Sequence, residues 1–178
     1  MPLPFRLPLW RISLLVLVAG SVLWLGGSIV RAVIGSELLK AGTLELESFI
    51  APEAEREIHR LLARTGIVVL GGYLAVLAGG ILFLALSPFR LREHGWLMMS
   101  ALLFFLSLPV EAYVMYLDGR IIYHDLFTTA GNETFRTLFL DRMRALGGAP
   151  FVAQLCYYTV ILLAVFQPMR KPPPAQEP

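Results

Sequence analysis

Four uninterrupted apolar blocks constrain this chain more than any other feature. A helix needs roughly 20 apolar residues to cross about 30 Å of hydrocarbon. Residues 9–30, 66–86, 95–117 and 149–167 each come close to that length. Each block stops where breaking or polar residues begin: Ser87-Pro88 after the second, Asp118-Gly119 after the third, Pro168 after the fourth. Proline lacks a backbone donor and clashes with the preceding turn, so it ends a helix cleanly. Asp118-Gly119-Arg120 reads as a turn.

Composition agrees with four spans. Of 178 residues, 57% are apolar and 16% charged, with a mean hydropathy of +0.68. A soluble domain averages about 45–50% apolar and about 25% charged, and one of this size has too little core for such an excess. The fold class is therefore an all-α integral membrane protein, a four-helix transmembrane bundle with two partly helical extramembrane loops. Residues 1–170 form a single four-span domain, and the Pro-rich tail 171–178 is expected to be disordered. The apolar region of the first block, counted from Ile12 to Val30, is 19 residues, exceeds the roughly 7–15 of a signal peptide and reads as a retained span.

Orientation follows from charge. With the amino terminus inside, the inner segments hold six basic residues, Arg6, Arg11, Arg90, Arg92, Arg170 and Lys171, against Glu93 and Glu177. The outer segments hold nine basic residues and ten acids over about twice the length. The raw count does not favour this topology, but the density beside the span ends does. The expected placement is the plasma (inner) membrane with both termini cytoplasmic.

The outer segments are patterned. Pro52 suits a first helical position, and Glu53, Glu55 and Glu57 behind it complement the helix dipole. Arg56, Arg60 and Arg64 follow at fourfold spacing, so a solvated helix should lead into the second span. In the other outer loop Asn132 is a candidate cap for a helix over 133–146, closed by Gly147-Gly148. Phe135, Leu138, Phe139, Met143 and Leu146 share one face of it, with Arg136, Asp141 and Arg144 away from that face. Trp10, Trp24, Trp96, Tyr113, Tyr116, Tyr157 and Tyr158 fall mostly toward span ends, as interfacial anchors do.

Membrane helices associate through small residues and polar contacts. Gly71, Ala75 and Gly79, each four apart, predict a smooth groove on the second span, widened by Gly72 and Gly80. It serves another helix of the same chain or, alternatively, a partner membrane protein or homodimer. Glu111 is the one acid inside a span, roughly 9 Å from its outer end at 1.5 Å per residue. Ser100, Ser107, Glu111 and Asp118 line one face, which should point inward because a carboxylate facing lipid is costly. Arg31, Gln154 and Tyr158 approach at similar depth. Either the cluster of Glu111, Arg31, Gln154 and Tyr158 fixes packing, or it binds a ligand, ion or proton.

Other chemistries find no support. One cysteine, Cys156, excludes an intrachain disulfide. A net charge of +2 argues against nucleic acid. No His-Glu-x-x-His run exists for a helix-bound zinc, and no histidine lies deep enough for bilayer haem. His59, His124 and Asp125 lie in outer segments, where isolated histidines are ordinarily solvated, so no metal or cofactor is assigned. The chain reads as non-enzymatic: an accessory or assembly subunit packing against other membrane proteins, with the lipid bilayer around it. The alternative is a small transporter-like or ligand-binding protein using the Glu111 cluster.

Overall fold

The computed structural model of the chain describes residues 8–40, 42–47, 50–128 and 131–169. Arg6, Arg170, Lys171 and the Pro-rich tail lie outside the described residues. Among those residues the fold is all helical: α1 Leu9–Ser36, α2 Pro52–Leu86, α3 Gly95–Phe127, α4 Asn132–Arg144 and α5 Ala149–Phe166. Four of them, α1, α2, α3 and α5, are long and apolar enough to cross a membrane. That supports an integral membrane protein.

Three of the four are longer than a crossing requires. α1 has 28 residues, α2 35 and α3 33, where roughly 20 suffice. α3 does not turn at Asp118-Gly119; it continues to Phe127. Gly119 has open space around its Cα and a helical backbone, so glycine there costs propensity without breaking the helix. α2 begins at Pro52, with Glu53 and Glu55 in its first turn.

The contacts divide the chain into two compact units. The first holds residues up to Leu86 together with Met115–Ala145. Within it α1 and α2 lie side by side at backbone distance. A Cβ added to Gly72 would sit 2.7 Å from the Trp24 backbone nitrogen, and one on Gly79 2.7 Å from that of Leu17. From the α1 side, a Cβ on Gly20 would lie 2.8 Å from the Gly72 carbonyl and 2.9 Å from the Ala75 Cβ. Gly71, by contrast, is exposed with nothing within 4 Å of such a Cβ. The close face therefore runs through Gly72, Ala75, Val76 and Gly79 and receives α1, not through Gly71. Trp24 is buried and its ring meets Tyr73 at 5.1 Å, so it packs in the α1–α2 seam instead of anchoring in headgroups.

Past the apolar runs, the overrunning ends build a small head. Leu38, Leu62, Ile121, Phe135 and Phe139 form its buried core, with Ile34, Leu46, Ile58, Leu138 and Met143 packed around it. The segment after α1 folds back on itself: Leu39 bridges Leu46, and Gly42 turns at φ 75°. α4 supplies both core phenylalanines, as its apolar face requires, while Leu146 is exposed. Asn132 is the first residue of α4, and Gly131 holds the cap position without a side-chain bond. The Asn132 amide instead donates to the Pro52 carbonyl at 3.3 Å and to Glu55 Oε2 at 3.4 Å.

The second unit holds Ser87–Val114 and the chain from Leu146 on. Tyr157 of α5 is buried, its ring 5.7 Å from that of Phe104. Gly95, at the start of α3, packs against Met169. Gln167 ends α5 in a left-handed conformation, its N–H donating to the Leu163 carbonyl.

Candidate functional site

The polar centre of the first unit is Asp118, 1% exposed. Arg31 of α1 reaches it with both terminal nitrogens: Nη1 donates to Oδ2 at 2.7 Å and Nη2 to Oδ1 at 2.8 Å. Such a fork satisfies carboxylate and guanidinium in one plane. Arg142 Nε, from the last turn of α4, donates to Oδ1 at 3.2 Å. The fourth element contributes by being small. A Cβ on Gly66 of α2 would sit 3.6 Å from the Arg31 guanidinium carbon and 3.3 Å from Ile122. Glycine there gives Arg31 its path to Asp118. Four elements thus converge on one carboxylate, just where the apolar runs end.

The sequence offers Glu111 two sets of partners, Arg31 or the pair Gln154 and Tyr158. The structure gives both terminal nitrogens of Arg31 to Asp118 instead. The Asp118-Gly119-Arg120 turn reading ends α3 at this residue, so the sequence offers Asp118 as the last position of the inward face and not as the point where α1, α3 and α4 meet. Fourfold and sevenfold spacing was the available signal: Ser100, Ser107, Glu111 and Asp118 are all buried. In the second unit Gln154 Nε2 donates to the Tyr158 hydroxyl at 3.3 Å, and Glu111 is 7% exposed.

A second charged group lies higher in the head. Glu55, buried in the first turns of α2, accepts from Arg136 Nε at 2.6 Å and Nη2 at 2.8 Å. Arg136 is therefore not turned away from the rest of the unit; it clamps α4 to α2. This bond holds the Glu55 carboxyl below the usual carboxylate range and raises the Arg136 guanidinium further. One turn along, His59 is 4% exposed, so it is not solvated as loop histidines ordinarily are. Its ring stacks on Phe135 at 3.6 Å and 14°. His59 Nε2 stands 3.4 Å from Glu55 Oε1 without hydrogen-bond geometry. Both residues precede the apolar run that starts at Gly66. Burial pushes the His59 pKa down to about 4, against the pull of Glu55, so the ring is neutral at physiological pH. His124 is close enough to meet Phe135 edge-on at 6.5 Å, and its Nε2 is buried without a hydrogen-bond partner. Among the described residues no group of three or more His, Cys, Asp or Glu side chains is arranged to hold a metal.

These charges are joined to one another, and their chemistry is that of a clamp. Bidentate pairs at two heights join α1 to α3 and α2 to α4, and the single Arg142 bond ties α4 to α3. Compared with protein-family models, curated proteins and solved structures, the chain matches none.

Proposed function

We propose that this chain is a non-catalytic, multi-pass accessory or assembly subunit. It is a single four-span domain in the plasma (inner) membrane, with both termini cytoplasmic and the α4 head on the opposite side. Its work is to pack against other membrane proteins and present the head to them. The observation that carries this reading is the mutual pairing of Arg31, Asp118 and Arg142. The cation that would recognise a ligand's anionic group is committed to a neighbouring helix, so rigidity of the head is what the charges provide. Glu55 and Arg136 repeat the arrangement nearer the top.

A ligand-binding role has one observation in its favour, the buried row Ser100, Ser107 and Glu111 on α3. Intramembrane acids commonly mark functional paths. Purification of the tagged chain in mild detergent separates the two readings. An accessory subunit brings a membrane protein with it in fixed proportion, and Glu111→Gln leaves that recovery unchanged. A chain that purifies without such a protein, and whose cellular role is lost on Glu111→Gln with the fold intact, overturns the accessory reading.

A further inference from the structure

Around and beyond the level of Asp118, one face of α3 is exposed. Tyr116, Tyr123 and Phe127 are 61%, 63% and 71% exposed, and Arg120 is exposed between them. Spacings of four, three and four place all of them on one side of the helix, opposite buried Asp118 and Ile121. The alternation of three and four is the seam along which a second helix packs at a small crossing angle. Headgroups can accommodate a tyrosine at the height of Tyr116. Phe127 stands nine residues past Asp118, about 13 Å further along the axis, where an exposed phenyl ring faces water. Its ring lies 5.3 Å from that of Tyr123, so the two form one aromatic patch. Aromatic groups are enriched at protein interfaces.

The charges beside the patch select its occupant. Arg120 borders a cavity of about 320 Å³ whose α4 wall carries Glu133 and Asp141. The surface thus displays a cation and two acids side by side and is complementary to itself. Two copies in one membrane share an orientation, so their two-fold axis runs along the membrane normal. Such an axis preserves height: each residue meets residues at its own level. α4 descends as α3 rises, because Arg142 is bonded to Asp118 while His124 faces Phe135. Asp141 therefore stands at about the level of Arg120. A foreign helix would have to bring its own acid to that height; a second copy already carries one.

We infer that the chain forms a two-fold homodimer through the outward face of α3 and α4, with Arg120 of each copy paired to Asp141 of the other. The Tyr123–Phe127 patches meet about one to two helical turns above those two contacts. This goes beyond the accessory role and does not depend on it, since it needs no other protein.

The test uses the purified full-length chain in mild detergent, with mass measured by light scattering. The wild type is expected to run as a dimer. Arg120→Glu and Asp141→Arg each place like charges at both contacts and should weaken the dimer at least tenfold. Co-expressed with different tags, the two variants should recover each other, because the mixed pair has one native and one reversed contact. The double variant in a single chain should dimerise with itself, which also shows that the substitutions leave the fold intact. In a Cys156→Ser background, Tyr123→Cys should cross-link copy to copy. A monomeric wild type, variants that dimerise unchanged, or failure of the mixed pair to form overturns the inference. The accessory reading survives any of these results, because it rests on recovery of a different protein.

Discussion

Acidification should loosen the head through one histidine. His59 has an ordinary pKa of 6.5 that burial against Phe135 lowers to about 4. Above pH 6.5 the ring is neutral whether the head is folded or not, and it contributes no pH dependence. As pH falls below 6.5 the unfolded chain takes up a proton that the folded head refuses, so stability declines until about pH 4 and then levels off. At about 1.4 kcal/mol for each pH unit, the loss between pH 7.5 and 5 is about 2 kcal/mol. Glu55 does not confuse that interval. Its depressed pKa gives stability that is complete above 4.5 and is lost only as pH falls below that value. The measurement is denaturant unfolding in detergent at the two pH values, for the wild type and for His59→Phe. Phenylalanine keeps the stack on Phe135 and cannot titrate. The wild type should lose about 2 kcal/mol more than the variant over this interval. Equal losses, within about 0.5 kcal/mol, would show that the buried ring is not what senses pH.

Removing the charge at Asp118 should be severe: Asp118→Leu strands two guanidiniums and should cost about 3–5 kcal/mol. Adding Arg31→Met and Arg142→Met should recover most of it in the same unfolding assay, and no recovery would mean that packing, not charge, was lost. Gly72→Ala should destabilise by about 1–3 kcal/mol, since its methyl meets backbone atoms of α1. Gly71→Ala, in open space, should be neutral or gain up to about 1 kcal/mol of helix propensity; equal melting of the two variants contradicts the assigned face. Cysteines replacing exposed Glu45 and Thr134 in a Cys156→Ser background should react with an impermeant thiol reagent in intact cells. Labelling only after permeabilisation reverses the orientation.

The sequence announces the four spans because an apolar run is a local signal that needs no partner. The start of α2 is legible for the same reason: Pro52 and the acids behind it act within one turn. The head is harder to read. Once α3 leaves the apolar run, its pattern becomes amphipathic and contains a glycine, and Asp118-Gly119 resembles a stop. Tertiary packing of Ile121 and His124 against α4 carries the helix on to Phe127. The groove shows a finer failure. Gly71 and Gly72 are neighbours, and small-residue spacing alone does not say which of them faces a helix; the distances to Trp24 and Gly20 do. The spacing brings Arg31 to the depth of both Glu111 and Asp118, which share a face of α3 and both offer an acceptor. Only the three-dimensional reach of the guanidinium decides between them.

The pairing of Arg31 with Asp118 also sets a timetable for biosynthesis. The two residues are 87 positions apart. At about 5–20 residues per second, a ribosome takes roughly 4–17 s to supply the carboxylate after the guanidinium has emerged. Late in that interval α2 is complete and can pair with α1 in their glycine-lined hairpin, but Arg31 still has no counter-charge and must keep its head in the aqueous boundary by snorkelling. Insertion of α3 delivers the acid, and α4 follows 24 residues later with Arg142. A chain arrested between α2 and α3 would hold an unpaired cation at the bilayer edge, the state in which quality-control proteases should find it.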